Sequence, residues 1–493
     1  MKHITELEIE KVQRPIRVVQ FGEGNFLRAF ADYMIDILNE KTDFNGNIAI
    51  VKPISFGTLE RFDRQNCLYT VILRGQEQGQ VINSSRIVTS VDRAVDGADT
   101  WDNLAELAKC PTVRFVISNT TEAGITLDET DTMDGVPATY PGKLTKFLYD
   151  RYVAFGGSKE SGVIMLPVEL IEMNGKKLRS CVLRLAEVWN LPAEFTAWLN
   201  DACVFCSTLV DRIVTGYPRA EAAAICEQLG YEDELLDVGE PFGLWVIESD
   251  RPISHELPFA EAGLPVIFTD NMKPYRDRKV RILNGAHTSS VLGGWLYGMN
   301  IVRDMMKAPV IGDFCRRVVM DEIAPQVPLD KADVDAFAAA VFERFENPFI
   351  DHALLAISLN SVSKWRARVL PSFQDHYNNV GELPKLITFS FAALLAFYSS
   401  TDLREDGLYA KRFDGTEYVV RDDRPVLEFM AENSGKPVAE FVDLAAARED
   451  FWGEDLRKYK GFAETVAANL EAIRTDCKKA VEDILGKQHW SLS

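Results

Sequence analysis

Lys279, Asn284 and His287 stand in one run, Lys279-Val-Arg-Ile-Leu-Asn284-Gly-Ala-His287, and offer an amine, an amide and an imidazole within nine residues. In an α-helix His287 would lie about 80° and Asn284 about 140° around the axis from Lys279, so one broad face could present all three to a small molecule. An amine of lowered pKa can act as a general base near neutral pH. Amide and imidazole N–H groups can hold an oxygen on which negative charge is growing. None of these roles needs a metal. Two plainer readings fit the same spacing: a polar patch on a surface helix, or an Asn-Gly turn at 284–285.

The elements that must position these groups belong to a long chain. Its 493 residues allow about two to four domains. With 47% hydrophobic and 26% charged residues the mixture is that of a globular protein with a sizeable core. The net charge of −20 predicts a surface that repels nucleic acid and anionic membranes, so neither is expected as a partner and an anionic substrate would need a local basic pocket. The polar start, Met1-Lys-His-Ile-Thr-Glu6, has no apolar signal core, and the most apolar run, Leu386 to Tyr398, is too short to cross a bilayer. The cytoplasm is therefore the expected compartment. Cys203-x-x-Cys206 lacks a second pair, and histidines 3, 255, 287, 352, 376 and 489 show no metal-ligand spacing. Structural thiols and no metal are expected.

Residues 16–21 predict a buried strand, followed at once by Gly22-Glu-Gly24-Asn25. Apolar residues at 26, 27, 30, 33, 34, 37 and 38 then predict a helix. Further strands are expected at 47–51, 113–118 and 162–166. Strands alternating with helices argue for a parallel α/β sheet. Beyond about residue 270 helical patterns dominate, over 334–345, 353–361, 386–399 and 462–485, with a hairpin around 412–420 at the Asp414-Gly415 turn signal. The expected division is thus 1–270, an α/β dinucleotide-binding domain of Rossmann type with additions, and 271–493, a mostly α-helical domain carrying the catalytic run.

Gly22 and Gly24 would permit a tight turn and the close approach of a pyrophosphate to a helix N-terminus. Leu27 occupies the place of the usual third glycine. After the second strand stands Lys52-Pro53 rather than an acidic residue. A lysine there suits a 2′-phosphate better than a free ribose hydroxyl, while a solvated strand end is the plainer reading, so the choice between NAD and NADP stays open on these residues.

Taken together, several stretches resemble the mannitol dehydrogenase family, the long-chain polyol dehydrogenases. They are Gly22-Glu-Gly24-Asn-Phe26-Leu-Arg28, Thr121-Glu122, Val210-Asp211-Arg212-Ile213, Glu240-Pro-Phe242 with Trp245-Val-Ile-Glu248, and Lys279 through His287. Val19 to Arg28 and Asn360-Ser-Val-Ser-Lys364-Trp-Arg366 are most similar to a branch that reduces keto sugar acids. The resemblance implies metal-independent hydride transfer with NAD, although NADP is not excluded. It implies Lys279 as general acid/base, Asn284 as an oxyanion donor, and His287 as a group that orients substrate. It implies cofactor contacts from Phe21, Gly22, Gly24, Asn25, Phe26, Arg28, Asn119, Thr121 and Glu122, and a substrate contact from Lys364. Asp211 is expected either to hold the substrate or Lys279, or to form a structural ion pair. The competing reading, a nucleotide sensor without catalysis, has against it the intact set of Lys279, Asn284 and His287.

Three departures bear on the substrate. Glu169-Leu170 stands where polyol-specific members carry Asp-Asn, which removes their second oxyanion donor; Asn174, close by, suits a turn. Arg276 follows Pro274-Tyr275 where relatives have an acid, and Ala356 replaces a substrate-contacting arginine. Lys273, Arg276, Arg278, Lys279 and Arg281 are opposed only by Asp277, and Lys364, Arg366 and Arg368 form a second basic cluster. Each arginine could be part of a solvated basic face. The sharper expectation is that Arg276, Arg366 or Arg368 grips the carboxylate of a small sugar acid.

Overall fold

The computed structural model describes residues 1–121 and 123–486, so Glu122, one of the expected cofactor contacts, and His489 lie outside the described residues. The chain divides into two compact units, one of residues 1–75 and 81–272, the other of residues 76–80 and 273 onward.

The first unit is built on a six-stranded sheet: β1 (Ile16–Phe21), β2 (Asn47–Lys52), β3 (Val91–Asp96), β4 (Phe115–Ser118), β5 (Ile164–Pro167) and β6 (Val204–Phe205). All neighbours are parallel, in the order β3-β2-β1-β4-β5-β6. This is the strand order of the doubly wound dinucleotide-binding fold. Alternation along the strands feeds two cores. Val18, Ile48 and Ile50 join Phe30 and Met34 on one face, while Val19, Phe21, Ala49 and Val51 join Leu144, Phe147 and Leu148 on the other. The helix Tyr140–Ala154 starts where Thr139 accepts a hydrogen bond from the Gly142 N–H (3.0 Å), with Pro141 in its first turn. Both strands not expected from the sequence, β3 and β6, are sheet edges. β3 interleaves Asp92 and Arg93 with its apolar residues, and β6 is two residues long, so neither leaves an apolar run. Three smaller sheets of the described residues accompany it; one contains Ser207–Asp211, paired antiparallel with Leu244–Glu248.

The second unit is mostly helical around the apolar helix Lys385–Phe397, the expected buried run. Pro384 precedes it, and the buried carboxylate of Glu322 accepts hydrogen bonds from the Leu386 (2.9 Å) and Ile387 (2.8 Å) N–H groups at its start. Burial pushes Glu322 up to about 7 against those hydrogen bonds. Two expected helices are interrupted. The 462–485 run breaks at Asp476, whose extended backbone (φ −156°) ends Phe462–Thr475 while its side chain caps Cys477–Ile484. The 353–361 run becomes the short Leu354–Ile357, then Asn360 in the left-handed region (φ 54°), then Ser361–Arg368. The Asp414-Gly415 turn joins Gly407–Lys411 to Glu417–Val420 in a three-stranded meander.

Candidate functional site

The run that holds Lys279 is neither a plain α-helix nor a turn. Lys273–Arg278 is α-helical, Lys279–Asn284 is a π-helical turn, and Gly285–Tyr297 continues as α-helix. Asn284 (φ −75°) and Gly285 (φ −65°) are both helical, so the Asn-Gly turn does not form. A π turn closes i→i+5 hydrogen bonds, which brings Asn284 back over Lys279 rather than leaving it at the wide angle of a uniform α-helix. Gly285 has a packing reason: a Cβ there would come 3.3 Å from the carbonyl oxygen of Arg368.

His287 sits one turn on, edge-on to Phe345 (ring centroids 4.1 Å apart) and 5.5 Å from the His352 ring. Desolvation, then the charges of His352, Arg344, Arg368 and Lys364, lower its pKa to about 3. The ring is therefore neutral at physiological pH. Lys364 and Arg368 lie one turn apart on Ser361–Arg368, which Trp365 anchors by burying its ring and donating to Ser390 Oγ (3.1 Å). Lys364 donates to the Ile357 carbonyl (2.9 Å), and burial and then Arg368 lower its pKa, with Asp422 opposing. Arg366 is on another side of that helix, exposed, its guanidinium against Gly453 and 3.5 Å from the Asp450 carbonyl. The other basic cluster also divides. Lys273 pairs with Asp277, Arg281 with Asp375, and buried Arg278 stacks over the Phe337 ring (4.5 Å). Arg276 and Lys279 are half-buried. No motif marks Arg344, Phe345 or His352 in the sequence: His352 has no metal-ligand spacing, and the other two end an amphipathic helix.

In the first unit Gly22 follows β1 with φ +123°; a Cβ there would meet the Asn119 carbonyl oxygen at 3.0 Å. Asn119 in turn donates its N–H to Phe21 O (3.1 Å). Gly24 opens on empty space, with nothing within 4 Å of a Cβ position, and the helical run from Asn25 to Lys41 begins directly after it. Thr121, β-branched, is held at φ +82°, a strained conformation for such a residue. Phe26 stacks on Phe30 (5.0 Å). Arg28 is buried: its guanidinium donates to Asn25 Oδ1 (2.5 Å) and the Leu235 carbonyl (2.5 Å) and lies 3.6 Å from Asp237, so it braces the turn from beneath. Asp211 ends its strand, buried. Among the described residues no three His, Cys, Asp or Glu side chains converge as a metal site.

Residues 16–259 match the family model of the mannitol dehydrogenase Rossmann domain, and residues 271–474 that of the mannitol dehydrogenase C-terminal domain. The chain belongs to the mannitol dehydrogenase family. It is 43% identical over 479 residues to an altronate oxidoreductase of Bacteroides thetaiotaomicron, covering 96% of this chain and 98% of the relative. It is 42% identical over 465 residues to an altronate oxidoreductase of Bacillus subtilis, covering 94% and 93%. Among solved structures, a D-sorbitol dehydrogenase superposes with a TM-score of 0.78 at 20% identity, covering 96% of each chain. The Pseudomonas fluorescens mannitol 2-dehydrogenase in ternary complex with NAD and D-mannitol superposes with a TM-score of 0.65 at 21% identity, covering 99% and 97%.

As a member of the mannitol dehydrogenase family this chain is an oxidoreductase acting on CH–OH groups. The glycine turn fits the nicotinamide dinucleotide of such enzymes: the space beyond Gly24 and the N–H groups that follow suit a pyrophosphate. Glu169 is buried and accepts from Ser118 Oγ (3.1 Å), Thr120 N–H (3.1 Å) and Thr120 Oγ1 (3.0 Å). Asn174 spends its amide on three carbonyls, those of Pro167, Glu169 and Thr208, and accepts from Gly175 and Thr208 N–H, so it has no donor left for a substrate. Asn174 opens the helix Asn174–Val188 rather than a turn, and ties its start to the end of β5 and to the strand Ser207–Asp211.

Proposed function

We propose that the protein is an NAD-dependent reductase of D-tagaturonate to D-altronate, working reversibly in hexuronate catabolism. The observation that carries this reading is the convergence of Arg344, Lys364 and Arg368 on the electrically neutral His287. A cationic cluster in a chain of net charge −20 suits a substrate with a carboxylate. The altronate oxidoreductase relatives, alike over almost their whole length, support the same substrate.

The chain's groups divide the chemistry. Bound NADH supplies the hydride to the ketone carbon. Negative charge then grows on the ketone oxygen, where the Asn284 amide donates a hydrogen bond and the Lys279 ammonium delivers the proton. Oxidation runs these steps backwards, with neutral Lys279 taking the alcohol proton. His287, uncharged, acts as a hydrogen-bonding group that orients the substrate rather than as its acid. Lys364, Arg368 and Arg276 hold the carboxylate.

The test follows NADH oxidation with tagaturonate, fructuronate and fructose, in the wild type and in Lys279→Ala. We expect turnover fastest with tagaturonate, and a fall of about 10²–10⁴-fold in Lys279→Ala with NADH binding kept. A preference for fructuronate would reassign the substrate to the epimeric acid. Binding of NADH without turnover of any of the three would make the protein a sensor.

A further inference from the structure

In this strand order the adenosine ribose of a dinucleotide sits at the carboxyl end of β2, where an acidic residue ordinarily reads its 2′-hydroxyl. Here β2 ends in Lys52, which by itself would favour a 2′-phosphate. The lysine is not available for that. It is 4% exposed, its Nζ donates to the Ile54 carbonyl (2.6 Å), and it lies 3.1 Å from a carboxylate oxygen of Asp96. Asp96 is the last residue of the adjacent strand β3, level with Lys52 in the ladder. Its side chain keeps 30% exposure, so the acid reaches the surface and the amine does not. The carboxylate is fixed from below by the Ala98 (2.9 Å) and Asp99 (2.7 Å) N–H groups. Burial works against its ionisation, yet those N–H groups and Lys52 hold its pKa below the usual value.

The surroundings have the same sign. Asp99, exposed, accepts from Ser55 Oγ (2.9 Å), and Glu23 of the glycine turn, half-buried, has its pKa raised by burial, with Lys52 and Arg28 opposing. A second cation near Asp96 and Asp99, Lys143, is 2% exposed and donates to the Pro137 carbonyl. The arginines that follow β2 are engaged elsewhere, Arg64 with Glu234 and Glu60, and Arg61 within 4.0 Å of Glu234. Lys52 and Lys143 are thus buried, Arg61 and Arg64 are exposed but lie against Glu234, and the carboxylates of Asp96 and Asp99 keep accessible negative charge at the strand ends.

We infer that Asp96 is the residue that sets the preference for NAD over NADP: it takes over, from the neighbouring strand, the work of the missing acid after β2, and cancels Lys52. Its carboxylate accepts from a free ribose hydroxyl and, with Glu23 and Asp99, repels a 2′-phosphate. This rests on the dinucleotide reading above and is tested without sugar substrate. The full chain is titrated calorimetrically with NADH, NADPH, 5′-AMP and adenosine 2′,5′-bisphosphate. The wild type should bind NADH at least about tenfold tighter than NADPH, and 5′-AMP tighter than the bisphosphate. Asp96→Asn should narrow both ratios by about tenfold, and Glu23→Gln should shift them the same way by less. Glu23→Gln decides the matter if Asp96→Asn, checked by its melting temperature, does not fold. Equal wild-type affinity for NADH and NADPH, or ratios unmoved in the folded variants, would overturn the role of Asp96 and leave the dehydrogenase reading standing. Binding of neither dinucleotide would instead sink the dehydrogenase reading.

Discussion

At the scale of single residues the informative property of His287 is that it carries no charge. Desolvation and a ring of positive neighbours depress its pKa to about 3, so it is neutral on both sides of pH 7. His287→Asn should therefore lower kcat/KM without moving any apparent pKa of the pH–rate profile between pH 5 and 9. Disappearance of an ionisation near pH 6–7 in that variant would show that His287 titrates in the working range. The sequence made His287 legible as one of three groups, because Lys, Asn and His at these intervals are types that chemistry uses. It could not show the neutral state, which comes first from burial and then from His352, Arg344, Arg368 and Lys364, all more than fifty residues away in the chain. Arg366 is the converse case. Beside Lys364 in sequence it looks equivalent, but two residues along a helix turn it away.

Between residue and molecule, the elements behave as their patterns predict wherever one face is buried, and depart where a single side chain intervenes. β2, β4 and β5 announce themselves through short apolar runs, and β1 through apolar residues on both sides of Arg17 and Gln20. The breaks at Asp476 and Asn360 do not, since apolar periodicity continues through a cap residue. The π turn at Lys279–Asn284 was equally hidden: its composition is that of any helix, and only the count of residues per turn differs. Glu322 illustrates an element that depends on a distant group. Replacing it with alanine leaves the N–H groups of Leu386 and Ile387 buried without acceptors, at a cost of about 1–3 kcal/mol for each orphaned group. The variant should melt several degrees lower, and an unchanged melting temperature would show that water or a local shift supplies the acceptors.

For the whole molecule, buried acids link stability to pH. Desolvation raises Asp237 from the ordinary carboxylate value to about 7, and Asp32, bonded to Tyr69 Oη (2.6 Å), is raised in the same way. The native state then holds protons that the unfolded chain has released, so this stabilisation is complete below about pH 4 and is lost as pH rises through 7. Asp237→Asn, which cannot titrate, should show a smaller fall in melting temperature from pH 5 to 8 than the wild type; an identical slope would remove Asp237 as a cause. The fold class was legible because the domains differ in period, strand against helix; the Asp32–Asp237 neighbourhood was not, since its members come from three segments with no shared motif. The imbalance of charge has a kinetic consequence. On the proposed function, a sugar acid arriving from afar would meet the field of a protein with net charge −20 before it met Lys364 and Arg368. Salt shortens the reach of that field from about 30 Å at 0.01 M to about 10 Å at 0.1 M, while close partners in a partly buried cluster are screened far less. Raising ionic strength from very low values should first speed capture of the anion and only then weaken its grip, giving kcat/KM a maximum in salt that a neutral ketose would not show.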